Sequence, residues 1–168
     1  KADGFKTYLL GVGANPKAMD WLRSFRKCFF DQKGKLSTQV TIDLSQFEGE
    51  VVESVVLGVR WGGDDLKLYQ TDKPDTPVFF SDGGQLSILV SPGTETVAQE
   101  ALIRAEAIAQ TQRQMLDLMN APANYKQPQT LADWAMNSGK QHGYSVTVLD
   151  KAELERQKLG ALLSVSQG

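Results

Sequence analysis

The sequence predicts an α/β protein in which a mixed sheet carries packed helices, a long helix leads out of it, and a second α/β unit begins after that helix. Three observations predict it. Short β-prone runs alternate with stretches of helical periodicity from Thr7 to Val90. An unbroken helical pattern follows from Thr94 to Asn120, without Gly or Pro. A new series of short elements starts beyond Ala121-Pro122.

The first run, Thr7 to Val12, is apolar and closed by Gly11 and Gly13, as a strand entering a turn would be. Asn15-Pro16 then offers an N-cap and a proline at the first helical position. From Pro16 to about Asp31, Ala18, Leu22, Phe25 and Phe29 recur at helical spacing with Trp21 and Cys28 beside them, so one face of a helix packs on a sheet. Gln39 to Leu44 alternates, with Val40, Ile42 and Leu44 on one side and Thr41 and Asp43 on the other.

Glu48 to Arg60 sets propensity against pattern. Its valines favour strand, yet Val51, Val55 and Val59, with Val52 and Val56, repeat every four residues and make one helical stripe. The pattern predicts helix. Strands are expected at Leu66 to Gln70, Val78 to Phe80 and Leu86 to Val90, punctuated by Gly62-Gly63 and Gly83-Gly84 and closed by Pro92-Gly93.

Val97, Ala101, Ala105, Ile108, Met115 and Met119 lie on one stripe of the Thr94–Asn120 helix, and Glu100 with Arg104 has the spacing of a favourable pair. At 1.5 Å per residue this helix spans roughly 35–40 Å, more than a small domain needs for its own packing, so it reads as a connector. After Ala121-Pro122-Ala123-Asn124, Thr130 to Asp133 has the spacing of a helix cap, with Leu131, Trp134 and Ala135 facing inward. Tyr144 to Leu149 reads as a strand, Lys151 to Leu159 as a short helix, and Ala161 to Val165 as a further strand. The expected organisation is an accessory domain over residues 1–93, a linker helix over 94–120 and the beginning of a second domain over 121–168. The chain opens on Lys1 rather than Met and stops just after an apolar run, which reads as an excised segment.

Composition narrows the function. The 168 residues are 41% hydrophobic and 23% charged, with eighteen basic against twenty acidic side chains and a net charge of −2. That balance offers no excess positive charge for the phosphates of a nucleic acid or an anionic membrane. No apolar run is long enough for a membrane span and no leader-like segment opens the chain. The single Cys28 forms no internal disulfide, which fits a reducing, cytoplasmic compartment.

Side chains that carry chemistry are sparse. His142 is the only histidine; beside Gly143 at a helix end it reads as a solvated or capping residue rather than a metal ligand. Asp64, Asp65, Asp72 and Asp75 stand in acidic turns of the kind usually just hydrated. Gly11-Val12-Gly13 resembles the opening of a dinucleotide fingerprint, but Pro16 occupies the place of the third glycine. A tight strand-to-helix turn explains it better, although free N–H groups at a helix start also hold anions. Ser164 and Ser166 lack a nucleophile-elbow context. Trp21, Phe25, Phe29 and Phe30 read as core, since no basic stripe interleaves with them.

What carries the reading further is Gln114-Met115-Leu116-Asp117-Leu118-Met119-Asn120-Ala121-Pro122-Ala123-Asn124. It resembles the helix end of cytosolic leucyl aminopeptidases, where a D-L-x-N-x-P-x-N run leads into the catalytic domain. A capped helix, a V-x-V-L-D run at Val146–Asp150 and Leu159-Gly160-Ala161-Leu162-Leu163-Ser164-Val165-Ser166-Gln167-Gly168 follow in the family's order, the last resembling its L-G-x-x-x-x-V-x-x-G signature. The specific part covers residues 114–168; residues 1–94 resemble the family only in layout, as a macro-domain-like accessory unit. Ala123 replaces a proline common in the run, and family members carry further elements before the one at Thr7.

The resemblance implies a parent enzyme that removes N-terminal residues from peptides using two divalent metals, manganese or zinc, in a cytoplasmic homohexamer. It also implies that the metal ligands, catalytic lysine and arginine all lie beyond Gly168, so that no catalytic, cofactor-binding or metal-binding residue is expected in this chain. The rival readings are a stand-alone macro-domain-like module holding a nucleotide or ADP-ribose at the Gly11–Pro16 turn, and a purely structural interaction domain.

Overall fold

A computed structural model describes residues 6–64 and 75–165. The chain is α/β and divides into two compact units, Lys1–Asp117 and Leu118–Gly168.

In the first unit, helix α1 (Ala18–Gln32) turns Trp21, Leu22, Phe25 and Phe29 inward. It begins two residues later than Asn15-Pro16 suggests. The Asp20 carboxylate accepts the Lys17 backbone N–H at 2.9 Å and so closes the first turn itself. Phe30, expected in the core, is exposed, because the apolar face is already complete with Phe29 and the next residue falls a quarter-turn or more away.

Strands β1 (Gln39–Asp43) and β2 (Gln85–Leu89) pair in parallel, Gln39 opposite Gln85 and Asp43 opposite Leu89. One face of the pair carries Val40, Ile42, Leu86 and Ile88 against the core. The other face is polar apart from Leu89. A parallel pair needs a crossover, and helix α2 (Val51–Gly63) stands between the two strands in sequence. Its valines obey the four-residue pattern and not their strand propensity. Val52, Val55, Val56 and Val59 are the most deeply buried large side chains of the described residues, and that burial outweighs a propensity difference of a few tenths of a kcal/mol per residue.

Helices α1 and α2 approach very closely at Gly58 and Gly62. A Cβ on Gly58 would lie 2.6 Å from the Leu22 carbonyl oxygen, and one on Gly62 would lie 2.6 Å from the Phe29 Cβ. Those two glycines let the helix backbones meet.

Two strands expected from the sequence are absent here. Among the described residues Thr7 to Val12 pairs with no strand, and of its apolar residues only Val12 packs on the core while Leu9 is fully in solvent. A β-prone run without a ladder partner gains nothing from its propensity. Val78–Phe80 forms a 3-10 turn, closed by bonds from Phe80 N–H to Pro77 (2.8 Å) and from Ser81 N–H to Val78. Phe79 and Phe80 both contact Phe29, with centroids 5.5 and 6.4 Å away, whereas a strand would send consecutive side chains to opposite faces. The strand expected at Leu66 to Gln70 lies outside the described residues.

Helix α3 (Glu95–Asn120) is continuous. It presents Ala98, Ala101, Ala105 and Ala109 to the core shared with α2. Arg104, expected to pair with Glu100, instead reaches Glu53 of α2 at 3.0 Å; Arg60 binds Glu106 at 2.6 Å and Arg113 binds Asp64 at 2.8 Å. The Trp61 indole N–H donates to Gln112 at 2.9 Å. Polar links to α2 and the residue after it therefore continue along α3 as far as Arg113.

The second unit contains α4 (Pro128–His142), α5 (Lys151–Arg156) and α6 (Gly160–Val165). Pro128 takes the first position of α4, ahead of the Thr130 cap read from the sequence, because a proline there gives up no helical hydrogen bond. Leu131 is exposed rather than inward. Gly143 ends α4 in the left-handed conformation at φ 75°, with its N–H on the Gly139 carbonyl. Asp150 caps α5 by accepting the Glu153 N–H at 2.8 Å.

Tyr144 to Leu149 is not part of a sheet, and Ala161 to Val165 is helical where a strand was expected. Among the described residues no strand lies beside either segment, so their backbones have no ladder to join. In α6 the hydrogen bonds are local instead, from the Leu163 N–H to the Leu159 carbonyl and from the Ser164 hydroxyl to the Ala161 carbonyl, and Ala and Leu are strong helix formers.

Candidate functional site

The stretch with the most specific sequence pattern, Gln114 to Asn124, begins on the last turns of α3 and ends in a tight turn. Pro122 stops the helix, and its carbonyl accepts the N–H groups of Tyr125 and Lys126 at 2.9 and 3.0 Å. The Lys126 ammonium folds back onto the Met119 carbonyl at 2.8 Å, covering one of the acceptors that a helix end leaves free. The Thr130 hydroxyl then donates to the Tyr125 carbonyl at 3.2 Å and ties the turn to the start of α4.

Asp117, the carboxylate of this run, is engaged by Arg113 one turn earlier at 3.2 Å. Burial works against the charge on Arg113, but Asp64 and Asp117 outweigh it and hold the guanidinium above its ordinary range. Downstream, Gly139 is buried under the returning chain. A Cβ there would lie 2.7 Å from both the Tyr144 carbonyl oxygen and a Val146 methyl, and the Tyr144 hydroxyl reaches Ser138 at 2.6 Å. Sequence reading missed the role of Gly139; the signal was a glycine inside a helical pattern, which marks close backbone approach.

His142 stands exposed in the last turn of α4. Asp64 is engaged by the Arg113 guanidinium, Asp75 is exposed, and Asp65 and Asp72 lie outside the described residues. The structure brings none of these together: among the described residues no group of three or more His, Cys, Asp or Glu side chains is close enough to hold a metal ion. The divalent metals implied by the resemblance find no matching donor set in these residues, and no step through a metal is derived from them. No helix of the described residues is long and apolar enough to cross a membrane.

In the Gly11–Pro16 turn Gly11, Gly13, Ala14 and Asn15 are exposed, while Val12 and Pro16 are half-buried, and Gly13 stands at φ 94°. It does not open directly onto a helix start. The Lys17 N–H, which an anion would need, is taken by the Asp20 carboxylate, so a negative charge already occupies the place. Burial, with help from Asp31, pushes the Cys28 thiol above its ordinary value, away from the thiolate a nucleophile requires. Ser164 Oγ donates to its own helix, and Ser166 lies outside the described residues.

Comparison with known proteins gives these pieces a context. Residues 114–168 match the cytosol aminopeptidase family, catalytic domain. A probable cytosol aminopeptidase of Chlorobium phaeobacteroides is 29% identical over 177 aligned positions, covering 95% of this chain and 34% of that protein. One from Geobacter sulfurreducens is 35% identical over 118 positions, 70% of this chain and 23% of the relative. One from Chloroherpeton thalassium reaches 43% over 63 positions, 38% of this chain and 12% of the relative. The chain thus spans about a third of the length of the curated relatives it matches most extensively. The family pattern falls on the α3–α4 turn and the helices after it, and the relatives' similarity continues through the first unit: the chain belongs to the cytosol aminopeptidase family.

Proposed function

We propose that these residues form the non-catalytic N-terminal portion of a leucyl aminopeptidase, a cytoplasmic homo-oligomer that removes N-terminal residues from peptides by two-metal hydrolysis. The observation that carries this reading is the match of the catalytic-domain family to residues 114–168, which begins on the final turns of α3 and runs to Gly168. Residues 1–93 act as an accessory domain, 94–120 as the linker helix, and 121–168 as the start of the metallopeptidase domain. In the parent enzyme two divalent metals would supply Lewis-acid chemistry to peptide and water, and none of the described residues would hold them. These residues contribute a scaffold for that domain, and their ion-paired carboxylates are committed to structure.

Two measurements test the reading. The purified chain, supplied with Mn²⁺ or Zn²⁺ and a leucine chromogenic amide, shows no turnover; activity that co-purifies with the chain through successive columns refutes it. The coding sequence downstream of Gly168 contains an N-x-D-A-E-G-R run; a downstream region without any such ligand-bearing run also refutes it. Calorimetry with ADP-ribose separates the rival binding-module reading. No heat of binding is expected, because the Asp20 carboxylate holds the N–H nearest the Gly11–Pro16 turn.

A further inference from the structure

One exposed flank of α1, beside its crossing with α2, is not an ordinary solvated helix face. Met19, Arg23, Arg26 and Phe30 follow one another at intervals of four, three and four residues, which places them on a single stripe. Met19 is 50% exposed and Phe30 53% exposed. At 1.5 Å per residue these two apolar side chains stand about 16 Å apart, with the two arginines between them. Lys33 extends the stripe, its ammonium 4.5 Å from the centre of the Phe30 ring.

The charge of the region is strongly one-sided. Between Met19 and Lys35 there are five basic side chains and two acids, Asp20 and Asp31, in a protein whose net charge is −2, and the Asp20 carboxylate is engaged by the Lys17 backbone N–H. Asp31 is consumed by Lys27 at 2.6 Å. Among the described residues neither Arg23 nor Arg26 has a carboxylate partner, although Arg60, Arg104, Arg113 and Arg156 all do.

We propose that this stripe of α1 docks an acidic, partly apolar peptide segment of another protein, with carboxylates on Arg23 and Arg26 and apolar side chains on Met19 and Phe30. Guanidinium groups take carboxylates in a two-pronged geometry that ammonium groups cannot match. Apolar side chains flanking a pair of arginines reward a partner that is itself apolar–acidic–apolar, which is peptide chemistry. A nucleic acid offers phosphates to the arginines but nothing apolar to Met19. An anionic lipid surface is opposed by the excess acidic charge that the rest of the chain carries.

The test uses the whole chain and a dye-labelled amphipathic peptide in which glutamates alternate with leucines at helical spacing, read by fluorescence anisotropy. Binding is expected, and it weakens as NaCl is raised. The Arg23→Glu/Arg26→Glu variant loses about tenfold or more in affinity. The Met19→Ser/Phe30→Ser variant also loses affinity, while the salt dependence that remains is unchanged. Circular dichroism confirms that both variants, altered only at exposed positions, keep the parent's helix content. Absence of binding, binding indifferent to either variant, or tighter binding to duplex DNA or phosphatidylserine vesicles than to the peptide overturns the proposal.

Discussion

Adding a methyl group at the crossing of α1 and α2 provides a stringent test of how the first unit is packed. In Gly58→Ala the new Cβ starts 2.6 Å from the Leu22 carbonyl oxygen, 2.8 Å from the Phe25 Cβ and 3.1 Å from the Arg26 nitrogen. In Gly62→Ala it starts 2.6 Å from the Phe29 Cβ and 3.0 Å from the Arg26 carbonyl oxygen. Ordinary carbon–carbon contact is about 3.5–4.0 Å, so each substitution demands roughly 1 Å of separation. The obstructing atoms are backbone or the first side-chain carbon, and no rotamer change removes them; the helices themselves must part. Overpacking of this kind costs about 1–3 kcal/mol, against a helix-propensity gain for Gly→Ala of about 1 kcal/mol. Because the obstructing atoms cannot turn aside, the cost lies toward the upper end, about 2–3 kcal/mol, which leaves a net loss of about 1–2 kcal/mol per site and about 3 kcal/mol for the double variant. For a chain of this size that lowers Tm by about 6–12 °C, read by circular dichroism at 222 nm. Gly34→Ala, where a Cβ meets nothing within 4 Å, serves as the control and changes Tm little. If Gly58→Ala and Gly62→Ala leave Tm unchanged or raise it, the helices do not meet at these glycines and the packing described is wrong.

Val55, with no exposed surface, should cost about 2 kcal/mol or more when cut to Ala, whereas Val78→Ala, more than half exposed, stays within about 0.5 kcal/mol; urea titrations of both variants measure the contrast. Arg113→Ala should cost about 1 kcal/mol or less, because its guanidinium and the Asp117 carboxylate are both well exposed, and the loss should shrink in high salt; a melt repeated with and without 1 M NaCl reads it. Asp150→Ala removes the cap of α5 and should cost about 1 kcal/mol of local stability, read as faster amide exchange at Glu153 and Leu154. The hydroxyl and N–H of Ser45 hold the Asp43 carboxyl below its ordinary value of 3.8, and Arg156 with Gln157 holds Glu153 below 4.5. A folded-state value depressed in this way contributes stability above the unfolded-state value, and loses it as pH falls through the folded one. Acid titration of the Asp43→Asn/Glu153→Gln variant should therefore show a smaller loss of stability below about pH 4.5 than the parent.

Helices were legible where the burial pattern and the backbone agreed. The four-residue recurrence of Val51, Val52, Val55, Val56 and Val59 identified α2 against propensity, and the uninterrupted run to Asn120 identified α3. Strands were legible only as pairs: Gln39–Asp43 and Gln85–Leu89 found each other, while Thr7–Val12 and Tyr144–Leu149, with equally suitable side chains, did not. Propensity and alternation describe one chain segment, but a strand is a property of two, and which segment lies alongside is decided by long-range packing. Phe79-Phe80 failed for a related reason, since two adjacent aromatics drawn to Phe29 cannot alternate. Phe30 was misplaced because the apolar composition of Phe29-Phe30 hides where the buried face of α1 ends. The family pattern at Asp117–Asn124 was readable because a helix stop needs its proline at a fixed place. The partnership of Arg104 with Glu53 was not readable, because the two residues are remote in sequence and are brought together by the fold alone.

The inner face of α3 is almost featureless. Alanine side chains at positions 98, 101, 105 and 109 form a smooth rail, and a rail of methyl groups resists lifting far better than it resists sliding, since each offers little relief to interlock with the rest of the core. Axial position then falls to the pegs at the rim: Arg104 on Glu53, Arg60 on Glu106, Gln112 on Trp61 and Arg113 on Asp64. Each peg is weak on its own in water, yet a slip of one residue displaces all four by about 1.5 Å at once. Adhesion and alignment are thereby divided between different chemistries, so that the apolar interior keeps the helix in place against its neighbour while charged groups at the surface determine where along that neighbour it comes to rest.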